Sequence, residues 1–211
     1  MKISILLPYK ENFSTEYAGA VSLLLKDIIP LSKYKKFINI YGSTSFKKNI
    51  LKTKYINLKL NNFFFQSKSN FYINKFIEHE NKKKSDIIEI HNRPIYVNKL
   101  YNVNKNLVLY FHNDPLSMDG SKTIDQRKKL LKTCYKIIFN SSWSKKRFLE
   151  GLENKFINSN KLEIFYQSAK KNNPLIIKNK KKWITFVGKL NKAKGYDVFV
   201  KSITKILDKY K

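Results

Sequence analysis

Seven short apolar runs, each parted from the next by a stretch of mixed polarity, constrain this chain more than any other feature. Runs at residues 2–7, 37–41, 55–60, 86–91, 107–112, 136–140 and 161–166 read as strands. Several are continuously apolar, as in Leu107-Val108-Leu109-Tyr110-Phe111, a pattern that suits strands covered on both faces. Helical stretches at 16–31, 70–81, 94–101, 121–134 and 142–152 lie between them. Strand alternating with helix predicts βαβ crossovers, and therefore an α/β fold: a Rossmann-like parallel sheet with helices on both faces.

The pattern changes near residue 168. Residues 169–182 are polar, contain Asn172-Asn173-Pro174 and read as a linker, with Leu175-Ile176-Ile177 as a candidate short strand inside it. Residues 183–187 then read as a buried strand, residues 188–195 as a glycine-and-lysine turn, and residues 196–210 as a helix with Val198, Ile203, Ile206 and Leu207 on one face. Strand, basic turn and helix open a second Rossmann-like domain, and the turn suits an anionic phosphate. One strand and one helix bury no core by themselves. The expectation is an incomplete second domain over 183–211, finished by residues beyond Lys211 or by another chain.

Charge raises the question of partners. The 211 residues carry 43 Lys and Arg against 15 Asp and Glu, a net +28. Such a field attracts nucleic acid or anionic membrane surfaces. Only Arg93, Arg127 and Arg147 are arginine, the residue that favours bidentate phosphate and base contacts, and the lysines are spread along the chain. Nucleic acid is therefore disfavoured. Compositional drift with generic anion attraction and docking on an anionic membrane both remain. Phe63-Phe64-Phe65 reads either as a membrane insertion loop or as an inward-facing strand end. No apolar run reaches the roughly 18 residues of a membrane span, and the strand-like start is too short for a signal peptide. With Cys134 as the single cysteine, a reducing compartment fits, and the expectation is a cytoplasmic protein, with peripheral attachment to a membrane left open.

In open parallel sheets chemistry gathers at the carboxyl ends of strands. Residues 8–20 form a long loop running into a helix through Gly19, whose free N–H groups suit a negative charge; simple close packing at Gly19 is the alternative. The fourth strand ends in His91-Asn92-Arg93-Pro94 and the fifth in His112-Asn113-Asp114-Pro115. Two histidines at equivalent strand ends, each beside asparagine, point to function, with Arg93 as a fixed positive fork. No carboxylate or third histidine falls at ligand spacing, so a metal is not expected.

Taken in order, Ala18-Gly19-Ala20, residues 88–94, residues 110–115, Phe139-Asn140-Ser141-Ser142-Trp143, Val187-Gly188-Lys189-Leu190 and Lys194-Gly195 resemble the family 4 glycosyltransferases. The resemblance covers essentially the whole chain. It implies the GT-B architecture, with an acceptor-side domain over 1–168 and the start of the donor-side domain over 183–211. By that resemblance Gly188, Lys189 and Lys194 hold the donor diphosphate with help from Gly19, and lysine stands at 189 where the family commonly has arginine. His112 approaches the donor sugar as the catalytic residue, and His91, Asn92, Arg93, Asn113 and Asp114 line the acceptor side. The family's Glu-x7-Glu motif would lie beyond residue 211, so the fragment is expected to be inactive alone.

The implied chemistry is transfer of a sugar from a nucleotide-sugar, with retention, to a glycan or lipid-linked acceptor in cell-surface polysaccharide or lipopolysaccharide synthesis. The alternative is a non-catalytic glycan-binding module that needs a separate donor domain. A dinucleotide-binding reading fails on the missing Gly-x-Gly-x-x-Gly in residues 8–20.

Overall fold

The computed structural model describes residues 1–46, 48–60, 67–167, 183–188 and 190–209. Lys189, the Phe63-Phe64-Phe65 triplet and the expected linker with its candidate strand lie outside them. The chain divides into two compact units, Met1–Lys170 and Lys171–Lys211.

The first unit is built on one parallel sheet of seven strands: β1 (Ile3–Leu6), β2 (Ile38–Gly42), β3 (Lys54–Asn57), β4 (Ile87–His91), β5 (Leu107–Phe111), β6 (Lys136–Phe139) and β7 (Leu162–Ile164). All seven match predicted runs. Their spatial order is β3-β2-β1-β4-β5-β6-β7, and every neighbouring pair is parallel. The chain winds outward from β1 to β3, then returns and winds the other way from β4. The strand order therefore reverses between β1 and β4, where open α/β sheets form a crevice at their carboxyl ends.

Helices cover the two faces unequally. On one face α1 (Ala20–Ile28) packs Val21 and Leu25 against Ile3, Ile5, Ile38 and Ile40. On the other lie α2 (Lys68–Lys82), α3 (Val97–Tyr101), α4 (Ile124–Thr133) and α5 (Ser142–Leu149), around Ile88, Ile90, Leu109, Phe111 and Phe139. Alternation then places Glu89, His91, Tyr110 and His112 on the α1 side of the sheet, beyond the reach of its larger core.

Local chemistry fixes the helix ends. Ser67 accepts from the Asn70 N–H at the start of α2, and Thr123 with Gln126 forms a reciprocal capping box on α4. The buried Arg127 guanidinium donates to the carbonyls of Phe148 at 2.6 Å and Glu150 at 2.8 Å, where α5 ends. At the amino end of the sheet, the buried Glu80 carboxylate accepts from Ser4 at 2.7 Å and from the Ser85 backbone at 2.9 Å. The Arg127 and Glu80 contacts tie their helices to neighbouring segments.

In the second unit residues 183–187 form no strand ladder among the described residues, contrary to the expected strand. A strand exists by pairing, and among the described residues no neighbouring strand pairs with it. A 3₁₀ turn, Lys192–Lys194, leads into α6 (Tyr196–Lys209) as expected. Phe186 packs its ring on Tyr196 and Phe199 at 5.6 and 5.3 Å between centroids. Much of the apolar surface stays uncovered: Trp183, Val187 and Leu207 are all exposed.

Candidate functional site

The crevice at the strand reversal has two neighbouring hollows that share Asn92, Arg93 and Met118. One, of about 330 Å³, is bounded by Pro8, Lys10 and Glu11 after β1, Ala20 and Val21 of α1, and His112, Asn113 and Gln167. The other, of about 470 Å³, runs past Tyr9, Ser69 and Asp119. Sequence reasoning located the carboxyl ends of β1, β4 and β5, and the sheet order brings all three together.

His91 and His112 are hydrogen-bonded to each other. Nδ1 of His91 lies 2.8 Å from Nε2 of His112, with the ring planes 7° apart. Strand pairing explains the approach. His91 pairs with Tyr110 across β4 and β5, and His112 stands two residues beyond Tyr110 on the same face. The backbone supports the pair, since Asn92 adopts φ 52° and its Oδ1 accepts the His112 N–H at 2.8 Å. Asn140 donates to the His112 carbonyl at 2.8 Å.

The chain of contacts continues at both ends. Nε2 of His91 faces the Glu89 carboxylate at 3.8 Å, and Nδ1 of His112 meets Nε2 of Gln167 at 2.7 Å. Two proton arrangements satisfy the ring-to-ring bond. In one, His91 aims an N–H at Glu89, accepts from His112 Nε2–H, and leaves His112 Nδ1 as an acceptor for the Gln167 amide. The reverse aims a bare lone pair of His91 at the carboxylate. At 3.8 Å from a carboxylate oxygen an N–H is attracted and a lone pair repelled, so a lone pair there is the costlier choice. We assign the first arrangement, with both histidines as Nε2–H tautomers.

His112 is thereby a neutral acceptor. Burial, and then the proximity of His91, push its pKa down to about 3. Burial and the Glu89 charge also raise the neighbouring Tyr110 hydroxyl, which stays protonated. An uncharged imidazole with a lone pair on the crevice side suits a hydroxyl or amide N–H and does not supply a positive charge for a phosphate.

The other predicted residues divide. Asn92, Arg93 and Asn113 line the crevice. The Arg93 guanidinium sits 5.5 Å from the Tyr9 ring centroid and donates to the Asn92 carbonyl at 3.1 Å. His91, expected on the lining, is 1% exposed and reaches the crevice only through His112. Asp114, also expected on the lining, has both oxygens engaged: one accepts from the Leu116 N–H at 3.0 Å, the other pairs with Arg147 at 3.2 Å. It shapes the turn after β5 and fastens it to α5.

Gly19 stands at the N-cap of α1, and the helix start there is already occupied. The Glu11 carboxylate accepts from the Ser22 N–H at 2.9 Å. A ligand phosphate at that helix end has to displace this carboxylate. In the second unit Gly188 and Lys194 are both exposed, and the Lys194 N–H donates to Asn191 Oδ1 at 3.1 Å. Among the described residues no group of three His, Cys, Asp or Glu is placed to hold a metal.

Glu11, Glu89 and Gln167 were not singled out from sequence. Glu89 was within reach, because it precedes His91 by two and so shares its face of β4. Glu11 and Gln167 reach the site from loops, which carry no periodic signal.

No protein-family model and no curated protein sequence matches this chain. Among solved structures it is similar to Anabaena HepE in complex with UDP-glucose, with a TM-score of 0.51 and 16% identity over 80% of this chain and 44% of that one. It is also similar to UDP-N-acetylglucosamine 2-epimerase from Rickettsia bellii, with a TM-score of 0.47 and 13% identity over 78% of this chain and 44% of that one. The chain thus spans less than half the length of either. At 16% identity the likeness to HepE is one of fold, and the fold is Rossmann-like α/β.

Proposed function

We propose that this chain is the acceptor-side part of a nucleotide-sugar-dependent glycosyltransferase of the GT-B type. In this reading it is inactive by itself and, completed by the rest of the donor side, moves a sugar, with retention, onto a glycan or lipid-linked acceptor in cell-surface polysaccharide or lipopolysaccharide synthesis. The observation that carries the reading is the neutral His112 acceptor in a crevice at the strand reversal, a place built for a hydroxyl-rich ligand. Likeness of fold to part of HepE, a protein seen with UDP-glucose, supports it.

Each group then has a task. Gln167 swings off His112, and a sugar hydroxyl takes its place on Nδ1. Glu89 and His91 act through His112 as positioning residues that keep its tautomer. Arg93 contributes a fixed positive charge beside the sugar, while Asn92 and Asn113 hydrogen-bond the acceptor. As the sugar leaves, negative charge gathers on the diphosphate, a charge that the family resemblance assigns to Gly188, Lys189 and Lys194. No metal or further cofactor enters this reading, and the work is cytoplasmic.

Calorimetric titration of the full chain tests it. UDP-glucose binds, and His112→Ala weakens that binding about tenfold while UDP alone is unaffected, as loss of one hydrogen bond to the sugar requires. No binding of UDP-glucose, and none of a glycan acceptor, sinks the reading. Equal weakening of UDP moves His112 away from the sugar.

A second reading, a non-catalytic glycan-binding module, is favoured by the engagement of both His112 ring nitrogens. Oligosaccharide binding that persists without any donor, and without product when a donor is added, selects it.

A further inference from the structure

One edge of the first unit carries positive charge with no compensation. Between Asp27 and Glu78 the sequence has ten lysines and no acidic residue. This stretch includes β2 and β3, the edge of the sheet. At the amino ends of these strands, Lys35, Lys36, Lys52 and Lys54 border one hollow of about 510 Å³, which Ile29 and Leu51 also line. Among the described residues none of the four lysines forms an ion pair with a carboxylate.

Beside the hollow the chain exposes apolar side chains. The connection from α1 to β2 contains two 3₁₀ turns, Ile29–Leu31 and Lys35–Phe37. Leu31 is 86% exposed, Tyr34 40% and Phe37 47%. The three recur at intervals of three residues, with Lys33, Lys35 and Lys36 between them. Apolar tips set among lysines form the amphipathic pattern of a surface that lies on a bilayer: lysines meet anionic headgroups while apolar groups enter the acyl boundary. A nucleic acid would use the charge and leave Leu31 in water.

We infer that the Leu31–Tyr34–Phe37 edge, with the lysine-lined hollow beside it, docks this unit on an anionic lipid bilayer. Docking at the amino end of β2 and β3 leaves the crevice at the carboxyl end clear of lipid. This inference therefore stands apart from the sugar chemistry and survives its failure.

Flotation of the full chain with phosphatidylcholine vesicles, with and without phosphatidylglycerol, decides it. The chain binds only when phosphatidylglycerol is present. Lys35→Gln with Lys36→Gln lowers the affinity about tenfold or more, given the usual worth of a lysine at an anionic surface. Charge-matched removal of the exposed Lys132 and Lys146 on other elements costs much less. Leu31→Ser with Tyr34→Ser weakens binding at unchanged net charge, and circular dichroism confirms the fold. Leu31→Ser alone serves if the double variant unfolds. Undiminished binding of the serine variants, or equal loss from the two lysine pairs, overturns the inference in favour of non-specific polyanion attraction. So does a duplex DNA affinity that matches the vesicle affinity and falls equally in the serine variants.

Discussion

The Glu11 carboxylate fills the space that a side chain on Gly19 would occupy. A Cβ at residue 19 would lie 2.2 Å from Glu11 Oε1 and 2.3 Å from its Cδ. The backbone of Gly19 is ordinary extended chain, with φ −77° and ψ 171°, so the glycine is there for room and not for its conformational freedom.

Gly19→Ala is accordingly expected to expel the Glu11 carboxylate from the Ser22 N–H without breaking the fold. The cost is that of a lost helix cap, about 0.5–2 kcal/mol. Urea denaturation measures it. The same loss from Glu11→Gln shows that it is the carboxylate at the helix start that matters.

The tautomers of His91 and His112 depend on Glu89. Nitrogen-15 NMR of the full chain at neutral pH should find both rings carrying the proton on Nε2. Glu89→Gln removes the charge that fixes the direction, and a mixture of tautomers is expected. Nδ1–H on His112 in the unaltered protein would refute the assigned arrangement.

The depressed pKa of His112 has a consequence for stability. In the unfolded chain this imidazole takes up a proton near its ordinary 6.5, whereas in the fold it waits until about 3. The unfolded state thus binds more protons between those values, and folding stability falls as pH drops through that window. The slope from this one group is roughly 1.4 kcal/mol per pH unit. In His112→Gln the same denaturation series should lose that portion of the acid sensitivity.

Gly120 holds the loop after β5 against the one after β4. It has φ 96°, and a Cβ there would stand 2.5 Å from the Ile95 nitrogen and 2.7 Å from its Cα, both backbone atoms. Neither can give way as a side chain would. Gly120→Ala should cost roughly 2–4 kcal/mol and disturb the wall of the crevice at Ile95 and Asp119. A thermal midpoint equal to that of the parent would contradict this packing.

Cys134 is 1% exposed, and burial pushes its thiol up to about 12. It should resist iodoacetamide at pH 8 in the folded protein and react at the rate of a free thiol in denaturant. Fast labelling of the native chain would show that the end of α4 opens.

The amino-acid sequence determined the sheet of this protein. Runs such as Leu107–Phe111 are apolar at every position because both faces must be covered, and that alone demands parallel strands with crossovers. It also marked the strand ends at His91 and His112, because polar residues there interrupt apolar runs. Residues 183–187 show the limit of that signal. Their composition is that of a strand, but pairing needs a partner, which composition does not supply.

Tertiary structure decided the site. Placing β4 beside β1 and β5 beside β4 converted two separate His-Asn-x-Pro ends into one hydrogen-bonded pair, with Glu89 behind it and Gln167 in front. It also removed Asp114 from the lining by giving both its oxygens other work. These outcomes depend on distances between residues up to 55 positions apart, Gln167 and His112 among them. No local pattern encodes such distances, because loops carry these groups and only the packed sheet fixes where the loops meet.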